Sequence, residues 1–253
     1  MQNYTTNAIN LKSYNLSETD KIVVMYSKEK GLIKGVAKGA KKTTSKLGGR
    51  MDMLIANKLL MHQGKNLSTI CQAQALNTFK NTRKDMDKLF YSIYCAEIVN
   101  SFGVENDPNS EEIYDLFYKT LDAISVALNK VGILISVLKF QLKMMQIAGY
   151  TLELGCCVRC GCDLDNDDIY FSAQSGGTVC LCCSKQDIKK TKLHYKIRDF
   201  LDTLLKLDFE TKSRYEDLAT EKICDFCFKL LSVYVQQFSP KKIKSGQILE
   251  MTR

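Results

Sequence analysis

Ala8-Ile-Asn-Leu-Lys-Ser-Tyr14, Lys21-Ile-Val-Val-Met-Tyr26 and Gly31-Leu-Ile-Lys-Gly-Val36 follow one another near the start of the chain. Each segment alternates or is rich in β-branched residues, and Glu18–Asp20 supplies a turn between the first two. Met51–His62 and Leu67–Ala73 repeat the pattern, joined by the turn Gln63-Gly64-Lys65-Asn66. Five short strands within residues 4–80 predict a small closed β-barrel. The OB-fold, a five-stranded barrel that binds oligonucleotides, fits this pattern. An SH3-like barrel fits nearly as well, and strand count alone does not separate the two.

Charge singles out the same region. Residues 1–80 carry thirteen Lys/Arg against four Asp/Glu, whereas residues 81–253 carry twenty-three against twenty-four. The basic excess of the chain (net charge +8) therefore lies in the first third. That asymmetry predicts a polyanion-binding module joined to a body of balanced charge. A lysine-rich surface kept for solubility is the plainer reading, and the position of the lysines argues against it. Between the third and fourth strands runs Lys38-Gly-Ala-Lys-Lys-Thr-Thr-Ser-Lys-Leu-Gly-Gly-Arg50, with five basic groups and no acid. A mobile loop of this composition lays ammonium groups, hydroxyls and backbone N–H groups along phosphates without reading base edges. Its affinity should depend on salt and hardly on sequence. Tyr14 and Tyr26 are the nearest aromatics. Barrel tyrosines pack in cores or at edges more often than they stack bases, so neither is given a stacking role.

From Asp85 the period changes to helical. Leu89, Ile93, Ala96 and Val99 define a first helix ending near Gly103. Asp107-Pro-Asn-Ser110 caps a second, with Glu111 and Glu112 in its first turn and a buried stripe through Ile113, Phe117, Leu121, Ile124 and Leu128. Gly132 breaks the chain before a third, Ile133–Ile147, which is apolar on most sides and hence central. Two more helices follow at Tyr195–Leu207 and Asp217–Phe238. The fold class is α+β: a barrel domain over residues 1–80 and a helical domain over 81–253, with an insertion at 154–190.

That insertion holds seven of the eleven cysteines. It reads C-C-V-R-C-G-C over Cys156–Cys162 and C-L-C-C over Cys180–Cys183. The pairs Cys157/Cys160 and Cys180/Cys183 are separated by nineteen residues, within the spacing of a four-thiolate zinc site. Two C-x-x-C turns brought together make a tetrahedron around Zn2+. Cys157, Cys160, Cys180 and Cys183 are the first choice of ligands, and Cys156, Cys162 or Cys182 can each replace a neighbour. Such a closed site is structural. Cys224 and Cys227 form a further C-x-x-C within a helical pattern, and Cys71 and Cys95 read as small buried hydrophobes. Asp163–Asp168 lacks the glycine and glutamate of a calcium loop and reads as a solvated hairpin tip.

Other classes are disfavoured. Neither a phosphate-binding G-x-x-x-x-G-K-[ST] loop nor G-x-G-x-x-G occurs. The two histidines, His62 and His194, lack neighbouring triad partners and read as surface or cap residues. No enzyme chemistry is indicated, and a thiol oxidoreductase would need a βαβ context that is missing. Met1–Asn10 has no basic region followed by an apolar core, and the longest apolar run, Val131–Leu138, is too short to span a membrane. A reducing, cytoplasmic setting with a bound metal is expected.

The stretch Gly31–Asp52, with G-x-x-x-x-V-A-K-G-A-K-K-x-x-S at its core, resembles the amino-terminal barrel of RecO, the bacterial recombination mediator family. Phe140-Gln-Leu142, Ala148-Gly-Tyr150, Leu154 and Cys157-x-x-Cys160-Gly161 resemble its central helix and metal motif. Phe171-Ser172, Gly176-Gly177, Cys180-x-x-Cys183 and the closing Lys241–Ser245 continue the match in order. The resemblance implies an OB-fold, a helical body and a zinc-finger-like insertion. It implies binding of single- and double-stranded DNA and annealing of complementary strands. It also implies work with RecR to load RecA onto DNA coated by single-stranded-DNA-binding protein, in the cytoplasm at the nucleoid. The DNA surface is expected on Lys34, Lys38, Lys41, Lys42, Lys46 and Arg50. Lys139 and Lys143, one turn apart, are candidates for the basic rim of a pocket for that protein's acidic tail. The alternative is a zinc-stabilised protein-interaction module whose basic barrel is incidental. The extra cysteines and the acidic Asp163–Asp168 depart from the family pattern.

Overall fold

The computed structural model describes residues 2–65, 67–164, 168–207 and 218–245. Five strands open the chain: β1 (Asn3–Asn15), β2 (Lys21–Ser27), β3 (Gly31–Ala37), β4 (Ala56–His62) and β5 (Ser68–Asn77). They form a closed barrel in the order β1-β2-β3-β5-β4, with β4 returning antiparallel to β1. Only β3 and β5 run parallel, through Gly35↔Ser68 and Val36↔Thr69. This closure is the OB-fold rather than an SH3-like barrel. Alternation places Ala8, Val23, Met25, Ile33, Leu59, Met61 and Ile70 together in the core.

The strand limits differ from the sequence expectation in physically simple ways. β4 starts at Ala56, because Gly49–Met51 is a 3-10 turn and Leu54 has a positive φ of 59°. β1 begins earlier because Asn3–Ala8 pairs along β4 from His62 to Asn57. Cys71, expected to be buried, is exposed. Its neighbour Ile70 takes the inward position, so Cys71 faces out.

Two helices complete the first compact unit, which extends to Val126. In α1 (Met86–Phe102), Asp85 caps the first turn by accepting from Lys88 N–H. α2 spans Ser110–Val126 and buries Ile113, Phe117, Leu121 and Ile124; Leu128, expected on the same stripe, lies past the helix end and is fully exposed. The loop between them seals the β2–β3 hairpin. Leu32 N–H donates to the Val104 carbonyl at 2.9 Å, and the Tyr26 hydroxyl donates to Asp107 at 3.1 Å. Gly31 sits at φ +65° where an added Cβ would lie 2.3 Å from the Val104 oxygen, so no side chain fits there.

The second unit begins at Ala127. Its α3 (Lys130–Ile147) starts three residues before the expected Ile133. Asn129 caps it by accepting from Gly132 N–H at 2.9 Å, so Gly132 belongs to the first turn instead of breaking the chain. Leu134, Val137, Leu138, Phe140 and Met144 are fully buried. After α3 comes a small sheet, β6 (Ile169–Ser172), β7 (Gly177–Cys180) and β8 (Thr191–Leu193), in the order β7-β6-β8. The one-turn α4 (Leu181–Ser184) follows β7, and α5 (Tyr195–Lys206) and α6 (Glu221–Phe238) end the unit. Aromatic contacts fasten the insertion, and Tyr150 just before it, to α6. Tyr150 stacks on Phe238 at 4.6 Å, Phe171 meets Tyr234 edge-on at 6.0 Å, and the Tyr234 hydroxyl donates to the Tyr150 carbonyl at 3.1 Å.

Asn66 of the expected β4–β5 turn, residues 165–167 of the acidic tip and Asp217 of the last helix lie outside the described residues. Among those described, no helix is long and apolar enough to cross a membrane.

Candidate nucleic-acid interface and metal centre

The lysine loop between β3 and β4 is built from consecutive hydrogen-bonded turns, and its apolar residues are its anchors. Ala40 and Met51 join the barrel core, and Leu47 packs against it. Lys38, Lys41, Lys42, Lys46 and Arg50 are all exposed, as is Lys34 on β3. The loop therefore seats its small and apolar groups in the barrel core and turns its cations outward. Sequence composition alone suggested a mobile loop; the anchors at positions 40, 47 and 51 give it a fixed backbone.

Both legs of the loop are clamped. On the outgoing leg, Gly39 N–H donates to Asp20 Oδ1 at 2.8 Å, Lys41 N–H to the Thr19 carbonyl at 3.0 Å and Lys41 Nζ to the Ser17 carbonyl at 3.3 Å. Gly39 has φ +64°, which suits glycine. The Gly39 N–H, the Thr19 hydroxyl and the charges of Lys38 and Lys42 together hold the Asp20 carboxyl below its ordinary range, against a smaller opposing effect of burial. On the return leg, the fully buried Asn10 and Asn57 side chains both donate to the Arg50 carbonyl, at 2.8 and 2.9 Å. Asn10 also donates to the Asp52 carbonyl at 2.8 Å, and Arg50 Nη1 donates to the Lys46 carbonyl at 2.8 Å.

The cysteine unit is equally specific. The sulfurs of Cys157, Cys160, Cys162 and Cys180 all lie within 4.8 Å of one another, and Cys160 and Cys180 are 3.9 Å apart. A zinc–sulfur bond of about 2.3 Å gives a tetrahedron with edges of about 3.8 Å, so this spacing fits a thiolate-bound ion. Cys183, the fourth ligand expected from the spacing, is not in this close group, where Cys162 stands instead; the Cys183 N–H donates to Cys180 Sγ at 3.5 Å. Cys162 reaches the group because Gly161, at φ +72°, turns the chain back and Cys157 N–H bonds the Cys162 carbonyl at 2.9 Å. Cys156 and Cys182, like Cys183, are not in the close group.

Protonation follows from this crowding. Burial works against the Cys157 thiolate, but N–H groups of Cys180, Cys160 and Arg159 outweigh it and lower the thiol to about 6. The Cys183 N–H lowers Cys180. Hydrogen bonds to neighbouring sulfurs, Cys160 first, push Cys162 and Cys183 up to about 12. Thiols this close cannot all ionise alone, and a divalent cation among them reverses that balance. Arg159, between the first pair of cysteines, pairs with Asp187, which is only 5% exposed. It also donates to Gln186 at 2.7 Å and Ser175 at 3.1 Å, tying the first knuckle to the segment after the second.

The remaining candidates are placed as follows. Cys95, Cys224 and Cys227 are buried, and burial raises their thiols, Cys224 to about 11 and Cys227 to about 12. His62 pairs with Asn3 at 2.7 Å, and His194 caps α5 by accepting from Lys196 N–H. Lys143 is half-buried on α3, whereas Lys139 is only 2% exposed, so the two do not form an open pair of charges on that helix.

Residues 1–79 match the recombination protein O N-terminal family and residues 83–246 the recombination protein O C-terminal family. The chain belongs to the recombination protein O family. The DNA repair protein RecO of Nostoc punctiforme is 41% identical over 187 residues, 70% of this chain and 62% of that protein. This chain thus covers less than two thirds of that relative's length. The DNA repair protein RecO of Desulforamulus reducens is 28% identical over 250 residues, 99% of this chain and 95% of that protein. That of Thermoanaerobacter sp. is 28% identical over 249 residues, 96% of each.

Sequence reasoning missed the residues that hold the RecO-family loop and insertion in shape. Asn10, Asn57 and Asp20 are polar residues in or beside strands, and Arg159 lies inside a cysteine motif. The only local signal was a buried-type position carrying asparagine, Asn10 between Ile9 and Leu11.

Proposed function

We propose that this RecO-family chain binds single- and double-stranded DNA through the cations of its barrel loop and anneals complementary strands. In this reading it is not an enzyme. Lys34, Lys38, Lys41, Lys42, Lys46 and Arg50 neutralise phosphate repulsion between two strands, and base pairing drives the rest. With RecR it helps load RecA onto DNA coated by single-stranded-DNA-binding protein, in the cytoplasm at the nucleoid. The observation that carries the reading is the loop itself: five exposed basic side chains on a backbone fixed by Ala40, Leu47, Met51, Asn10 and Asn57. A fixed array loses little conformational freedom on binding.

The insertion holds one structural Zn2+ in this proposal. Cys157, Cys160 and Cys180 supply three ligands, and Cys183 or Cys162 supplies the fourth. Four thiolates in a tetrahedron suit zinc, and a closed set leaves no position for a substrate. The ion's part is to hold the two knuckles and the β6–β7 hairpin together. The contact with the acidic tail of single-stranded-DNA-binding protein is assigned to the α3 surface at Lys143, with Lys139 buried one turn away.

The deciding experiment follows annealing of complementary oligonucleotides at several salt concentrations. Changing Lys38, Lys41, Lys42 and Lys46 to glutamate should abolish annealing while the thermal midpoint stays within a few degrees. Unchanged DNA affinity in that variant would overturn the loop assignment.

A further inference from the structure

Seven cysteines fall between Cys156 and Cys183, and a tetrahedral thiolate site takes four. The surplus is not scattered. Cys160 and Cys162 flank Gly161, whose φ of +72° suits glycine and reverses the chain between them. The reversal is pinned twice: Gly161 N–H donates to the Cys157 carbonyl at 2.8 Å, and Cys157 N–H donates to the Cys162 carbonyl at 2.9 Å. Both sulfurs consequently lie in the close group, within 4.8 Å of each other. Both residues are exposed, whereas Cys157 is buried and Cys180 is half-buried. A Cβ added at Gly161 would meet nothing within 4 Å among the described residues, so the turn faces open space. When Cys183 closes the ligand set with Cys157, Cys160 and Cys180, Cys162 is left as an uncoordinated, reachable thiol beside a ligand sulfur.

We infer that Cys162 and Cys160 form a dithiol oxidation site that takes peroxide and, by becoming a disulfide, opens the metal centre. The inference rests on the proposed metal site and adds a condition under which that site gives up its ion. The Cys162 thiolate attacks the O–O bond of hydrogen peroxide, keeps one oxygen as a sulfenic acid and releases the other as hydroxide, which takes up a proton to become water. The Cys160 sulfur then attacks the Cys162 sulfur. The S–S bond forms as the S–O bond breaks, and the oxygen leaves, protonated, as a second water. Two thiols are thereby oxidised to one disulfide, and one peroxide is reduced to two waters. Cys160 belongs to either proposed ligand set, so its loss leaves at most three thiols, too few for a closed tetrahedron. Cys180 is also near Cys160, at 3.9 Å, but it is a ligand in both sets and less exposed. Cys156 and Cys182 lie outside the close group. Cys162 alone combines exposure, a sulfur neighbour and freedom from the ion, and a thiol reductant reverses the step.

The test loads the full chain with Zn2+, adds hydrogen peroxide and follows released metal with a chromogenic chelator, then maps disulfides after free thiols are blocked. Chymotryptic cleavage at Tyr170 and Phe171 separates Cys160 and Cys162 from Cys180–Cys183. A disulfide joining Cys160 to Cys162 should appear in step with metal release, and dithiothreitol with fresh Zn2+ should restore the loaded state. Cys162→Ser should keep its metal through Cys183 and release it about tenfold more slowly. Cys182→Ser, at an exposed position outside the close group, should release metal at the wild-type rate. A disulfide mapped to other cysteines, unslowed release from Cys162→Ser, or a Cys162→Ser chain that never holds metal overturns the site. The mapping uses the wild-type chain and so decides the matter even where a variant misfolds. A wild-type chain that binds no Zn2+ overturns the metal reading itself, and so is told apart from failure of the dithiol alone.

Discussion

Asp20 Oδ1 accepts the Gly39 N–H at 2.8 Å, joining the turn between β1 and β2 to the start of the lysine loop. Its carboxyl is held below the ordinary 3.8, first by that N–H and then by Thr19, while Lys38 and Lys42 add charge attraction. A depressed folded-state pKa gives a contribution that is complete above the unfolded value and fades as pH falls through the folded one. Protection of the Gly39 amide against hydrogen exchange should therefore hold from pH 8 to 5 and fail only in acid below 3.8. Asp20→Ala should remove that protection at neutral pH, and Asp20→Asn should retain much of it.

Salt reports how many of the barrel cations meet phosphates. For single strands the slope of log K against log salt is about −0.7 per phosphate contact, so six engaged cations give about −4. Lys42→Ala should reduce that slope by about 0.7. Titrations at four or more salt concentrations settle the count. A slope near zero would mean that the loop does not touch the backbone.

Cys162 lies in the close group of four thiols, whereas Cys183 follows in the second C-x-x-C beside Cys180, so two thiols compete for the fourth position of the proposed metal site. Cys157→Ser or Cys160→Ser should lose the ion and lower the thermal midpoint, because both thiols belong to either proposed ligand set. Cys162→Ser and Cys183→Ser should each keep about one metal per chain, and the double variant should lose it. Metal content after dialysis against a mild chelator measures this. In the folded protein Cys71 should react readily with a thiol reagent, while Cys95, Cys224 and Cys227 should not.

Arg159→Ala should destabilise the second unit by about 3 kcal/mol, since it leaves the Asp187 carboxylate buried without its partner. Asp187→Asn in the same chain should restore part of the loss. Chemical denaturation of the single and double variants gives the coupling.

The barrel and most helices can be read from the sequence because their signals are local: alternation in Lys21–Tyr26, a helical stripe through Ile113, Phe117 and Leu121. The errors come from residues whose partners are distant or whose backbone is unusual. Met51-Asp-Met-Leu-Ile55 is apolar enough for a strand, yet a 3-10 turn and the positive φ of Leu54 break it. Gly132 reads as a breaker until Asn129, three residues earlier, is recognised as its cap. Asn10 acts on Arg50 from forty residues away, and nothing in either neighbourhood announces the bond. The cysteine spacing selects a metal site, but it cannot rank Cys162 against Cys183, because that depends on the turn at Gly161.

Because Ala40, Leu47 and Met51 are at once part of the lysine loop and part of the barrel interior, occupancy and folding are coupled. A bound polyanion quenches the mutual repulsion of the loop cations only while those three residues stay seated. Binding at a hundred times the dissociation constant should then add roughly 2.7 kcal/mol to unfolding of the barrel unit. The melting temperature of the protein becomes a gauge of whether DNA is on it.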